Sequence, residues 1–196
     1  MSIVYQSGKM SALIDTEAKL DECIEVATSS IGSAGNTPAD DKRILKGYRD
    51  NLDLYIVLAR DDSASNKLVG LFGYGDLSQF PTCQRNWKPA DVGVAGTEWT
   101  NSMLDAIEAK GINTANVDAA AHIYVHADYK NQRIGTTMMA KRATAQIARG
   151  ITHAVSFLYE TTEIRDWSAS RTSAEQIATD NDDNPIYLFE LNQLKE

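Results

Sequence analysis

Cysteine is scarce in this chain, and its two copies, Cys23 and Cys83, lie far apart with no CxxC pair and no histidine cluster beside them. That pattern excludes a disulfide framework and argues against a structural zinc site. Long apolar runs are missing as well. The longest, such as Leu54–Ala59 and Ala119–Ala121, fall far short of a membrane span. The amino terminus, Met-Ser-Ile-Val-Tyr, has neither a basic start nor an apolar signal core, so the expectation is a cytoplasmic protein with no membrane partner. Positive charge is in deficit: 19 Lys and Arg stand against 27 Asp and Glu, a formal net charge of −8. A general nucleic-acid binder must neutralise phosphates with basic residues, and this chain lacks the surplus. One small anionic ligand stays possible, since a few backbone amides hold a phosphate whatever the global charge. There is no GxxxxGK[ST] and no GxGxxG, so nucleoside-triphosphate and dinucleotide readings lose their fingerprint.

What remains is an ordinary globular composition: 196 residues, 43% apolar, 23% charged and 8% aromatic. That length suits a single domain, 1–196, with a substantial core. A helix is expected over Asp15–Ser29, where Leu20, Cys23, Ile24 and Ala27 form one stripe, and a second from Thr37-Pro38 to about Tyr48. Leu54–Arg60 and Leu68–Tyr74, separated by the polar turn Asp61–Asn66, read as an antiparallel hairpin. Glu98–Lys110 is the next helix, with Trp99, Met103 and Ile107 on one face and Gly111 as its stop. Ala119–Val125 then reads as a strand, Gly135–Arg149 as a helix with Met139, Ala143 and Ile147 buried, and Thr152–Tyr159 as a strand. Thr172-Ser-Ala-Glu175 has the form of a capping box opening a helix to about Thr179, before a last strand over Ile186–Leu191. Helices, then a hairpin, then strand–helix–strand–helix–strand predict an α/β (α+β) fold with a mixed central sheet.

The segment that carries chemistry runs from His122 to Met139. A strand delivers the chain to a polar turn, and a helix begins near Gly135. The first amides of a helix have no intrahelical partner and sit at the positive end of its dipole, a cradle for an anion such as a pyrophosphate. Gly135 lets a ligand approach the backbone closely, and Lys130 and Arg133 add charge beside it.

This segment resembles the acetyl-CoA motif of the GNAT N-acetyltransferase superfamily, Gln/Arg-x-x-Gly-x-Gly/Ala after a strand and turn often reading Val-x-Pro-x-Tyr-Arg. Val125, Asp128 and Tyr129 match the strand and turn, Lys130 stands for the arginine, and Gln132-Arg-Ile-Gly135 fits the first four loop positions. Ala127 replaces the usual proline and Thr137 the final Gly/Ala. The resemblance implies a single GNAT-like domain with a strand that splays from its neighbour at the motif. It implies that Ile123, Tyr124 and Val125 hold the pantetheine arm through their backbones, and that Lys130, Asn131, Gln132, Arg133, Ile134, Gly135, Thr136 and Thr137 form the pyrophosphate loop. It further implies acetyl-CoA as co-substrate, a small amine or peptide as acceptor, direct transfer in a ternary complex, a possible homodimer, and residues 76–118 as an insertion near the acceptor site.

The tyrosine that many family members use as general acid has no counterpart in Thr172–Thr179, so the catalytic groups must come from elsewhere. His122, whose ordinary pKa suits a base, Glu160 at the end of its strand, and Asp76 at the end of the hairpin are the candidates. Each has a plainer reading, as pocket-edge, solvent-facing or turn residue. Tyr159 and Tyr187 offer phenols, and Trp87, Trp99 and Trp167 offer walls for an acceptor pocket, though packing is the commoner role for all five. His122 and His126 stand about 13 Å apart on an extended strand, too far to chelate one metal ion together, so none is expected. A CoA-binding module without catalysis, and an acyltransferase acting on a protein N-terminus, a lysine or a nucleobase, are the alternatives.

Overall fold

Thr37 opens a helix by a reciprocal cap: its side chain accepts from the Asp40 amide while the Asp40 carboxylate accepts from the Thr37 amide. Thr16 does the same work more simply, accepting from the Lys19 amide at 3.3 Å. The computed structural model describes residues 2–30, 37–80, 97–157, 174–180 and 183–193. Along these run β1 (Ile3–Lys9), α1 (Met10–Leu13), α2 (Glu17–Ser29), α3 (Pro38–Gly47), β2 (Tyr55–Asp61) and β3 (Lys67–Asp76). They are followed by α4 (Thr97–Ala109), β4 (Val117–Val125), α5 (Ile134–Ala148), β5 (His153–Phe157), β6 (Glu175–Thr179) and β7 (Pro185–Glu190). The strands form one mixed seven-stranded sheet in the order β1-β2-β3-β4-β5-β7-β6. The α/β class with a mixed central sheet is therefore as expected.

The chain divides into two compact units. The first comprises Met1–Tyr74 and Ala121–Ala145. Its core gathers Met10 and Ile14, then Leu20, Cys23 and Val26 of α2 and Leu45 of α3, with Ile56, Leu58, Leu71 and Tyr124 from the strands. Gly70 of β3 lets α5 come close: a Cβ there would stand 3.1 Å from Ile134 Cγ2 and 3.0 Å from Met138 Cε. The second unit comprises Gly75–Ala120 and Gln146–Lys195. In it β5 pairs antiparallel with β7 along its whole length, from His153↔Glu190 to Phe157↔Ile186. Its parallel pairing with β4 is short, only Val117↔His153 to Ala119↔Val155.

Four sequence expectations are corrected. β1 was not anticipated, because Gln6-Ser-Gly-Lys9 dilutes its short apolar start; it adds an antiparallel edge strand against β2. Residues Glu175–Thr179 form an edge strand rather than a helix, paired with β7 through Glu175↔Leu188 and Thr179↔Pro185. The buried stripe of α5 is Ile134, Met138, Arg142, Ala143 and Gln146, whereas Ile147 is exposed and Met139 half-buried. Two polar residues on the inward face shifted the apparent phase. Finally, β4 begins at Val117, so Asp118 is a strand residue, fully buried.

Replacing Gly70 with valine should destabilise the protein by about 1–3 kcal/mol, because the added methyls must push Ile134 and Met138 off a packed sheet face. A thermal melt of Gly70→Val indistinguishable from wild type would show that the close approach of α5 is not under constraint.

Candidate cofactor loop and its surroundings

β4 ends at Val125, and the next four residues are fixed one by one. The His126 amide donates to the Val69 carbonyl at 2.9 Å. Its imidazole Nδ1 accepts from the Asp128 amide at 3.2 Å and caps the short 3-10 turn Ala127–Tyr129. His126 is buried, with Lys67 Nζ 3.3 Å from Nε2, so the ring is a turn-holding group rather than a pocket-edge one. Tyr129 packs edge-on against His126 and donates its hydroxyl to Asp61 Oδ2 at 3.1 Å. Asp61 ends β2 and is itself held by the Ser63 amide at 3.0 Å and the Ser63 hydroxyl at 2.6 Å. These hydrogen bonds, the Ser63 hydroxyl's first, hold the Asp61 carboxyl below its usual range. Lost hydration and then the Asp61 contact raise the Tyr129 phenol pKa.

The loop proper follows. Lys130 is extended, but Asn131 and Arg133 take left-handed conformations at φ 64° and 59°. A non-glycine residue in that region costs roughly 1–2 kcal/mol, so two within three positions mark a shape imposed by its surroundings. Left-handed residues set among right-handed or extended ones turn successive amides toward one side, an anion-binding concavity. The side chains of Lys130, Asn131, Gln132 and Arg133 are exposed. Ile134, by contrast, is buried under the loop and offers only its amide. Ile134, Gly135 and Thr136 are the first residues of α5, whose amides have no intrahelical acceptor. Thr137 differs from its expected part: its amide and its hydroxyl both donate to the Arg133 carbonyl, at 2.9 and 3.0 Å. The helix ladder has already begun there, so the run of open amides stops at Thr136.

Upstream on β4, Ile123 and Val125 are half-buried and Tyr124 is buried in the core, so Tyr124 can contribute only its backbone to a ligand. β5 supplies no registered partner to β4 beyond Ala119 among the described residues.

His122 lies on the same strand in a column of rings. Tyr48 stacks on it at 5.9 Å between centroids, and Tyr124 at 5.5 Å. Tyr48 opens the π-helical stretch Tyr48–Leu52 that follows α3, a feature no sequence signal announced. Burial depresses the His122 pKa below 6.5, against a smaller opposing pull from Asp41 of α3. At neutral pH the ring is uncharged and able to accept a proton.

Asp76 is differently placed. Its carboxylate is ion-paired with Arg149, which also reaches Asp118 Oδ2 at 2.9 Å, while Gln146 Nε2 donates to the same oxygen at 2.9 Å. The Asp76 carboxylate is thus part of an ion-pair network with Arg149 and Asp118. Asp118 is fully buried, and its desolvation raises its pKa. Tyr187 lies on β7, opposite Ser156 and Gln176, with its ring tilted against Phe189 at 6.5 Å. Glu160, Tyr159, Trp87, Trp167 and Cys83 lie outside the described residues, as does the side chain of Trp99. Among the described residues no group of three or more His, Cys, Asp or Glu side chains could hold a metal ion, and no helix is long and apolar enough to cross a membrane.

The His122 environment has a pH signature. Between its folded value and 6.5 the unfolded chain binds a proton that the folded chain refuses, so this group lowers stability as pH falls through that window. A His122 ring titration followed by NMR should show a midpoint below 6.5. A midpoint at or above that value would contradict the buried, neutral ring.

No family model matches the sequence, and no curated protein is similar to it at a significant level. Solved structures, in contrast, match end to end. The PaiA N-acetyltransferase of Thermoplasma acidophilum, solved with coenzyme A, superposes with a TM-score of 0.59 at 14% identity, covering 97% of this chain and 99% of that one. An acetyltransferase of the GNAT family from Staphylococcus aureus gives 0.59 at 15% identity, covering 97% and 99%. A mosquito arylalkylamine N-acetyltransferase, like 5b, gives 0.60 at 12% identity, covering 96% and 100%. At such identities the likeness speaks to architecture, and the architecture is plain: this chain has the fold of the GNAT acetyltransferases.

Proposed function

We propose that this protein is an acyl-CoA-dependent N-acyltransferase that moves an acetyl group from acetyl-CoA to a primary amine by direct transfer. The observation that carries the reading is the loop between β4 and α5. Two left-handed residues, Asn131 and Arg133, precede a run of open amides at Ile134, Gly135 and Thr136. A pyrophosphate fits this loop on charge and on donors: the helix start is its positive end, and Lys130 and Arg133 are exposed beside it. Asn131 and Gln132, also exposed, supply further polar groups at the loop's rim. The fold shared with a coenzyme A complex supports the same reading.

Within it, the backbone groups of Ile123, Tyr124 and Val125 hold the pantetheine arm; among the described residues none of the three has a registered partner on β5. The co-substrate would supply a thioester carbonyl for the amine to attack; the C–N bond forms, the C–S bond breaks, and CoA leaves as its thiolate, to be protonated from solvent. An amide near Val125 steadies the negative charge that develops on that carbonyl oxygen. His122 accepts the proton released by the attacking nitrogen; its uncharged imidazole and its fixed place in the ring column suit it to that role. The reading has no acyl-enzyme step, since the sequence places no cysteine at the motif; Cys23, the described one, is buried with its thiol pushed up to about 12 by burial. The acidic chain favours a cationic amine as acceptor.

Gly135→Asp sets a carboxylate against the pyrophosphate while keeping an acid that a helix start tolerates. CoA affinity measured by titration calorimetry should fall about thirtyfold to a hundredfold, the equivalent of roughly 2–3 kcal/mol, with an unchanged melt. Unchanged affinity in the folded variant would overturn the CoA assignment. His122→Gln should lower kcat about a hundredfold in a CoA-release assay with a panel of amines, leaving CoA affinity near wild type. A loss under about threefold would remove His122 as the base. Tight CoA binding with no turnover on any amine would favour a binding module instead.

A further inference from the structure

Besides its own turn bonds and the pair from Thr137 to the Arg133 carbonyl, the candidate cofactor loop is held from outside. Three contacts from one hairpin bracket it. Val69 of β3 accepts from the His126 amide at 2.9 Å, where β4 gives way to the turn. Gly70, the next residue, leaves room for Ile134 and Met138, which fixes the first turn of α5. Between these two points the chain must cross from Ala127 to Arg133, and there the hairpin makes its third contact, from Asp61 at the end of β2 to the Tyr129 hydroxyl at 3.1 Å. Asp61 is not free to swing. Its Oδ1 is held by the amide and hydroxyl of Ser63, which leaves Oδ2 aimed at Tyr129. His126 closes the other side of the turn, its ring edge-on to Tyr129 at 5.9 Å and its Nδ1 on the Asp128 amide. Directly after this anchored tyrosine come the two left-handed residues, Asn131 and Arg133.

An acid beside a pyrophosphate site is unexpected on electrostatic grounds, since it opposes the anion. The position makes sense when the carboxylate acts on the loop rather than on the ligand. We propose that Asp61 and Tyr129 are positioning residues for the cofactor loop: their hydrogen bond holds the turn so that the amides at the start of α5 converge on a phosphate. This inference rests on the proposed CoA reading for its ligand, but not for its effect on the loop.

The test compares Tyr129→Phe, Asp61→Ala and the double variant with wild type. Each single change should weaken CoA binding and raise the KM for acetyl-CoA about fivefold to tenfold, the loss of one hydrogen bond to a charged group, with kcat within about twofold. The double variant should be no worse than the poorer single one, because both remove the same contact. A merely structural role would lower the melting temperature without this split between KM and kcat. In the protein without ligand, hydrogen exchange at the amides of residues 130–136 should speed up in Tyr129→Phe while α2 and α3 keep their protection. CoA affinity within twofold of wild type in a folded Tyr129→Phe, or unchanged exchange across the loop, would overturn the inference. Absence of CoA binding by wild type would instead bring down the proposed function, and the exchange measurement would still decide the anchoring of the loop.

Discussion

A helix start cannot satisfy its own amides, and most of what surrounds residues 126–137 follows from that constraint. The open amides of Ile134, Gly135 and Thr136 must be held in one orientation to be of use, and within the loop only the Thr137 bonds to the Arg133 carbonyl bear on the start of α5 among the described residues. The hairpin of β2 and β3 supplies the frame. Gly70 admits the helix, Val69 ends the strand, and Asp61 secures the turn through Tyr129. The left-handed backbone at Asn131 and Arg133 is the local cost of fitting the chain between these points. Interactions elsewhere in the same unit are mostly hydrophobic and less directional, as in the cluster of Leu20, Cys23, Leu45 and Leu58.

Electrostatics divide along similar lines. The chain carries excess acid, yet several of its acids are engaged: Glu17 with Arg49, Glu22 with Arg60, and Asp76 and Asp118 with Arg149. The loop side chains Lys130 and Arg133 stand exposed at the dipole's positive end. Global charge therefore says little about the local field at the loop, which is set by fixed amides and two cations. The partly exposed pairs contribute little stability one by one. Asp118 is the exception, since a fully buried carboxylate must have donors, and Arg149 and Gln146 provide them.

Much of the sheet was legible because its strongest strands alternate between turn signals. The hairpin was readable from Leu54–Arg60 and Leu68–Tyr74, and the observed strands differ only at their ends. Gly111 and Gly150 correctly marked helix ends; both hold positive φ. Elements on the margins were harder. β1 and β6 are edge strands whose polar residues face water, so neither shows an apolar run, and the Thr172–Glu175 pattern imitated a helix cap. In α5, Arg142 and Gln146 occupy the buried stripe, Arg142 with its guanidinium over the Phe72 ring at 4.6 Å. Hydrophobic periodicity is blind to a cation buried on an aromatic face. Within the site, the loop was readable from residue spacing. The Tyr129–Asp61 and His122–Tyr48 contacts were not, because each joins residues distant in sequence.

Gly70 also ties the site to the order of elements along the chain. The hairpin is local in sequence and precedes α5 along the chain, so its pairing needs no contact with the loop. A slip of one residue would set the Cβ of Val69 or Leu71 against Ile134 and Met138, where Gly70 now leaves room, and α5 would have to shift to seat. The irregularity between Ala59 and Arg60, which shifts the pairing from Gly70 to Leu68, thus fixes more than a strand alignment. Through it, the first half of the chain acts as the mould against which a later segment is cast, and the loop at the start of α5 takes its place from that surface.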